Sequence, residues 1–130
     1  MDGFNQWPSE PVQFESIMRN WFTAMENLSK ILLKAIAKSL NWDPDTFRPH
    51  FENNHTSLLR LNYYPICPNP ESNMGVHHHT DAGVLTVLLQ DDDVNSLSVF
   101  YKNEWISIPP KKDTFVINIG DMMQVQYFFF

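Results

Sequence analysis

The sequence predicts an α+β protein in which one long N-terminal helix is followed by antiparallel β-structure. Two observations lead to this order. Between Phe14 and Leu40 the apolar residues recur at steps of three and four, which is the spacing of an amphipathic helix. From Ser57 onward the pattern changes to short runs rich in β-branched and aromatic residues, separated by turns too short to contain crossover helices. A chain of 130 residues is long enough for one such domain.

The predicted helix over 14–40 is bounded by prolines. Pro8 and Pro11 precede it, and Pro44 follows Trp42. Because the residue before a proline disfavours the helical conformation, the helix is expected to end near Trp42. Its stripe of aromatic and methionine residues is interpreted as a packing face.

Five later segments are predicted as strands because they are short, rich in β-formers and bounded by turn residues. Their spacing is typical of a sandwich or barrel. The predicted strands are SLLRLNYY (57–64), VLTVLLQ (84–90), SLSVFY (96–101), EWISI (104–108) and TFVINIG (114–120).

Composition excludes several classes of partner. Nine Lys and Arg against fifteen Asp and Glu give a net charge of −6, which has the wrong sign for binding nucleic acid. The longest strongly apolar run, Val84 to Leu89, is too short to span a bilayer, so no membrane partner is expected. A single cysteine, Cys67, suits a reducing compartment, and together with the absence of a signal-like N-terminus it predicts a cytoplasmic protein. The sequence does not determine the oligomeric state.

His79 and Asp81 form an H-x-D pair just before the predicted strand over 84–90. Residues two apart on an extended chain point to the same side, so the imidazole and the carboxylate can bind one ion together. A second histidine elsewhere would complete a 2-His-1-carboxylate triad suited to non-haem Fe(II). The alternative is a surface histidine beside an aspartate in a turn.

The other histidines are not expected to bind metal. His77 lies four residues before Asp81, roughly 13 Å along an extended chain at about 3.3 Å per residue, so it is predicted to line a pocket or face solvent. His78 should point away from His79. His50 and His55 lie in a polar loop and are expected to be solvated.

Several motifs in a fixed order resemble one enzyme family. They are the NQWP start, the long helix, LRLNYYPICPNP, GVHHHTDAGVLTVLLQD, EWISIPP and VINIGDM. From about Asn5 to Val125 the chain resembles the iron(II)/2-oxoglutarate-dependent dioxygenases of the isopenicillin N synthase-like group. The resemblance implies part of a double-stranded β-helix, or jelly roll. Residues 1–56 are then a helical N-terminal segment, and residues 57–130 an incomplete dioxygenase domain.

The resemblance also implies roles for individual residues. The tyrosine before the proline of NYYP binds the 2-oxoglutarate carboxylate in relatives, and it corresponds to Tyr64. Asn62 lies two residues earlier on the same predicted face, so it is also implied to bind the cosubstrate. Alternatively, Tyr64 is an ordinary aromatic residue of the sheet, and Asn62 is a polar edge residue. No catalytic residue beyond the metal ligands is implied. In the predicted site, the metal ligands are His79 and Asp81. The cosubstrate-binding residues are Asn62 and Tyr64, and the candidates for the substrate pocket are Arg60 and His77.

The implied reaction uses Fe(II), O₂ and 2-oxoglutarate as cosubstrate, with ascorbate as a further candidate cofactor. It releases succinate and CO₂ and hydroxylates or desaturates a small-molecule substrate. The substrate itself is not determined by the sequence.

The C-terminal end departs from the family pattern. After Val125 the chain reads QYFFF, and the family's second iron-binding histidine and its R-x-S arginine would fall past Phe130. A truncated, inactive member with an incompletely packed β-domain is therefore expected. The alternative is a non-catalytic β-domain or binding module in which the metal site is vestigial.

Overall fold

The structure is a computed structural model that describes residues 7–52 and 57–128. The chain divides into two compact units, one up to Asn73 and one from Met74. The first unit contains helices α1 (Phe14–Ser39) and α2 (Arg48–Glu52). The second contains strands β1 (Leu85–Leu88), β2 (Ser98–Tyr101), β3 (Glu104–Ser107) and β4 (Val116–Ile119) and helix α3 (Asp121–Phe128). Some positions named in the sequence analysis lie outside the described residues. They are the first two residues of NQWP, His55, the side chain of His50 and the last two phenylalanines.

Helix α1 confirms the predicted helix, and its C-terminus has a defined cap. The Asn41 N–H donates to the Lys38 carbonyl at 3.0 Å, and the Trp42 N–H donates to the Ala37 carbonyl at 2.9 Å. This pattern is a Schellman motif, which requires a left-handed residue after the helix. Asn41 fills that position with a φ of 57°, which asparagine tolerates better than most residues.

The buried part of the first unit lies between the end of α1 and the segment that follows it. Leu33, Ala37 and Phe47 are 3%, 0% and 4% exposed, and the Phe47 ring lies 6.0 Å from that of Trp42. The polar loop predicted to contain His50 and His55 is wrong for Arg48–Glu52, which form α2. Pro49 lies in the first turn of this helix, where its missing N–H would have had no partner.

The strand predicted over 57–64 is not formed. These residues are irregular, and the chain continues without regular structure up to a short 3₁₀ turn at Pro70–Ser72. Leu58 and Leu61 are 78% and 66% exposed. Alternating apolar residues favour a strand, but a strand forms only when its backbone groups pair with another, and no other described segment pairs with this one.

The other four predicted strands are confirmed, and they form two antiparallel pairs. β1 pairs with β4, and β2 pairs with β3 in a hairpin. Lys102 and Asn103 turn the hairpin with φ values of 50° and 66°, both in the left-handed region that two-residue hairpin turns need. Phe100 and Trp105 face each other across it, with ring centroids 5.2 Å apart. A helix and antiparallel strands therefore make an α+β protein.

Few side chains are fully buried. Four apolar residues in the described part of the chain fall in the buried class: Leu33, Ala37, Phe47 and Met123. Among the helices that the structure describes, none combines the length and the apolar character needed to cross a membrane.

Candidate metal centre

The loop that precedes β1 is bound to the chain that follows β4. The Asp121 N–H donates to the Asp81 carbonyl at 2.7 Å, and the Gly120 N–H donates to the Val84 carbonyl at 3.1 Å. The Thr80 hydroxyl donates to Asp121 Oδ2 at 2.8 Å. These bonds continue the β1–β4 pairing beyond the ends of both strands, so the H-x-D segment is held by the chain segment that follows β4.

Gly120 permits this close approach. A Cβ at this position would lie 2.2 Å from the Gly83 carbonyl oxygen and 2.7 Å from the Asp81 carbonyl oxygen. Both are backbone atoms and cannot move aside without displacing the loop. Glycine is therefore required here for steric reasons, although its φ is not positive.

The side chains of His79 and Asp81 come together. His79 Nε2 lies 3.6 Å from Asp81 Oδ1, and the two side chains are 59% and 32% exposed. His79 Nδ1 lies 2.8 Å from the backbone carbonyl oxygen of His77. A proton on Nδ1 satisfies that carbonyl and leaves the Nε2 lone pair directed toward the carboxylate, which is the tautomer a metal ligand needs.

The second carboxylate oxygen of Asp81 has protein partners. The Thr86 hydroxyl donates to Oδ2 at 2.6 Å, and the Asn118 amide donates to the same oxygen at 2.8 Å. Thr86 on β1 and Asn118 on β4 are directly opposite each other in the strand pairing. Oδ2 is therefore bound by the sheet, whereas Oδ1 is the oxygen nearest to His79.

This arrangement fits an iron ion. One imidazole nitrogen and one carboxylate oxygen are the ligand types of the 2-His-1-carboxylate sites that bind non-haem Fe(II). The backbone carbonyl behind His79 and the two donors behind Asp81 are the kind of outer partners that orient metal ligands. Within residues 7–52 and 57–128, no group of three His, Cys, Asp or Glu side chains is placed to hold a metal. Among these residues, the candidate ligands are the predicted pair, His79 and Asp81.

The neighbouring histidines are arranged differently. The His78 ring lies 6.5 Å from the Trp105 ring, in an edge-on contact with the β2–β3 hairpin. His77 contributes its backbone carbonyl to His79, and its own side chain is exposed. Its predicted role in a substrate pocket stays a prediction.

The predicted cosubstrate residues belong to the first compact unit. Arg60, Asn62 and Tyr64 are exposed and lie in the irregular segment, so the strand face predicted to carry Asn62 and Tyr64 is not formed. Their assignment to 2-oxoglutarate or substrate binding stays a prediction.

Sequence reasoning missed Thr86, Asn118 and Asp121. Thr86 and Asn118 are single polar residues within the otherwise apolar runs VLTVLL and FVINI. A polar side chain in the middle of each of two predicted strands was the signal that could have identified them. The direct pairing of the two positions depends on the strand register, which no local pattern shows.

Comparisons with known proteins identify the family of this chain. The 2OG-Fe(II) oxygenase superfamily matches residues 55–128. Protein DMR6-LIKE OXYGENASE 2 of Arabidopsis thaliana is 40% identical over 124 residues, covering 95% of this chain and 35% of the relative. Flavanone 3-dioxygenase 2 of Oryza sativa subsp. japonica is 38% identical over 118 residues, covering 91% of this chain and 34% of the relative.

Among solved structures, the crystal structure of JOX2 in complex with 2OG, Fe and JA is similar to this chain with a TM-score of 0.82 and 31% identity. The superposition covers 95% of this chain and 37% of JOX2. The chain thus spans about a third of the length of the proteins it matches. Because the family match includes the H-x-D segment, both strand pairs and the residues that follow β4, the chain belongs to the 2OG-Fe(II) oxygenase superfamily.

Proposed function

We propose that the protein to which these residues belong is a non-haem Fe(II)- and 2-oxoglutarate-dependent dioxygenase that oxidises a small molecule by hydroxylation or desaturation. The observation behind the proposal is the facing pair of His79 Nε2 and Asp81 Oδ1, 3.6 Å apart, inside the region that matches the superfamily. When bound, Fe(II) with 2-oxoglutarate and O₂ supplies the oxidising chemistry, with release of succinate and CO₂.

The task of this chain's residues is to bind and orient the metal. His79 would bind through Nε2, with its ring held by the His77 carbonyl behind it. Asp81 would bind through Oδ1, with its backbone held by the Asp121 N–H. The exposure of both side chains leaves solvent access for a cosubstrate and a substrate.

Further parts of the proposal concern the rest of the site and the fold. Asn62 and Tyr64 bind 2-oxoglutarate, while Arg60 and His77 contribute to the substrate pocket. The two antiparallel strand pairs form part of a jelly roll, a proposal supported by the similarity to JOX2. A cytoplasmic location is supported by the single exposed thiol, Cys67.

Calorimetric titration with Mn(II), a redox-stable substitute for Fe(II), tests the ligand assignment. His79→Ala and Asp81→Ala are expected to abolish binding, because each removes one of two ligands. His77→Ala is the matched control, since it removes an exposed imidazole from the same segment but keeps the backbone carbonyl that orients His79. Unchanged affinity in both ligand variants, with loss in the His77 variant, would show that the assignment is wrong.

Succinate release from 2-oxoglutarate tests the reaction. In the whole protein we expect turnover that His79→Ala abolishes. We predict that the 130-residue chain by itself gives no turnover, and the same assay checks this. A whole protein that binds Mn(II) at His79 but never releases succinate would favour the non-catalytic β-domain instead.

A further inference from the structure

We infer that Thr86 and Asn118 are positioning residues that hold the Asp81 carboxylate in one orientation, so that it offers the metal a single oxygen, Oδ1. This inference rests on the proposed function of the same site. It assigns a role in metal binding to two strand residues that contribute no metal ligand themselves.

The first support is the geometry around Oδ2. The Thr86 hydroxyl and the Asn118 amide both donate to this one oxygen, at 2.6 and 2.8 Å. Donation to a carboxylate gives hydrogen bonds that are shorter and stronger than those between neutral groups. A metal that approached Oδ2 would have to displace both donors, whereas Oδ1 lies on the side of His79.

The second support is the rigidity of the two donors. Thr86 and Asn118 are opposite residues in the β1–β4 pairing, so the hydrogen-bonded ladder fixes the distance between their backbones. Both donors therefore reach Asp81 from one sheet rather than from separate loops. A carboxylate bound in this way loses little freedom when a metal binds, because its orientation is already set.

The third support is that the backbone of Asp81 is held independently. Its carbonyl accepts the Asp121 N–H at 2.7 Å, and the adjacent Thr80 hydroxyl binds the Asp121 carboxylate at 2.8 Å. Removing the Thr86 hydroxyl or the Asn118 amide leaves these contacts in place. The orientation of the carboxylate can therefore be changed while the loop stays attached to the sheet.

The test compares Mn(II) affinity in variants of the full chain. Thr86→Ser and Thr86→Ala both lose the γ-methyl group, and they differ only in the hydroxyl. We expect Thr86→Ser to bind nearly as well as the unmodified chain, and Thr86→Ala and Asn118→Leu to bind about 10- to 100-fold more weakly, as outer-partner substitutions do at other metal sites. Ser107→Ala is the control, because it removes a β3 hydroxyl that donates at 3.0 Å to Asn95, in the segment before β2.

Two further measurements separate orientation from folding. Amide exchange in β1 and β4 should be the same in Thr86→Ala and Thr86→Ser. Equal exchange excludes loss of the sheet as the cause of weaker Mn(II) binding. The Co(II) absorption spectrum should change in Thr86→Ala and Asn118→Leu but not in Ser107→Ala, because the carboxylate becomes able to bind through both oxygens.

The outcomes distinguish this inference from the proposed function. If His79→Ala abolishes Mn(II) binding but Thr86→Ala and Thr86→Ser bind equally with identical Co(II) spectra, the positioning role is wrong and the metal site stands. If the whole protein does not bind Mn(II), or binds it equally well without His79, both proposals are overturned.

Discussion

Replacing Gly120 by alanine should detach the H-x-D loop from the segment after β4. The added Cβ would lie 2.2 Å from the Gly83 carbonyl oxygen and 2.7 Å from the Asp81 carbonyl oxygen. Relief of this overlap requires the loop to move, and overpacking of this kind costs about 1–3 kcal/mol. The displaced carbonyls accept the N–H groups of Asp121 and Met122, and losing both bonds costs a further 1–3 kcal/mol, at about 0.5–1.5 each.

Together these effects lower the free energy of local opening by about 2–6 kcal/mol. Because about 1.4 kcal/mol corresponds to a factor of ten, amide exchange is expected to be at least ~30-fold faster. Hydrogen exchange at the amides of Asp121 and Met122 measures this quantity directly. Gly83→Ala is the matched control, because a Cβ there meets no atom within 4 Å and Gly83 does not have a positive φ. Equal exchange rates in the two variants would refute the steric reasoning.

Three further outcomes are expected. Phe47→Ala should lower the free energy of unfolding by about 3–5 kcal/mol, because this ring is 4% exposed and lies 6.0 Å from the Trp42 ring in a tilted contact. A lower midpoint in denaturant unfolding followed by tryptophan fluorescence checks this, and an unchanged midpoint would contradict it. Glu15→Gln should lower the free energy of unfolding by less than about 0.5 kcal/mol, since the Glu15–Arg19 pair is half exposed and screened by solvent; circular dichroism at low and high salt checks this. The 130-residue chain should self-associate, because apolar side chains such as Ile119 and Trp105 are 57% and 58% exposed, and burying each would contribute up to roughly 1.5–3 kcal/mol of free energy. A monodisperse monomer in ultracentrifugation would contradict this expectation.

The self-association prediction follows from the small buried core rather than from any single contact. An ordinary domain is stable by about 5–15 kcal/mol, a margin that several unburied large apolar side chains can remove. In β1, Leu85, Val87 and Leu88 are half-buried, and Leu89, just after the strand, is 53% exposed.

Local patterns were sufficient wherever the determining interactions were local. The period of three and four residues predicted α1 from its first residue to within three residues of its observed end at Ser39, because a helix satisfies its own backbone. The hairpin of β2 and β3 could equally be predicted from local sequence, since its two-residue turn and its facing aromatic residues are close in sequence. The H-x-D spacing placed His79 and Asp81 on one side of the chain, and their side chains do meet at 3.6 Å.

The sequence by itself determined the order of a helix and strands, the proximity of His79 and Asp81 and the family resemblance, all of which depend on residues near one another or on motifs in fixed order. Tertiary structure decided that 57–64 is irregular, because a strand exists only where a partner strand pairs with it. It also decided that Thr86 and Asn118 meet at Asp81 Oδ2, and that Gly120 must lack a side chain. The contacts of Asn118 and Gly120 join residues more than thirty positions apart. Only the register of β1 against β4 places Asn118 opposite Thr86, so that both reach the same carboxylate oxygen.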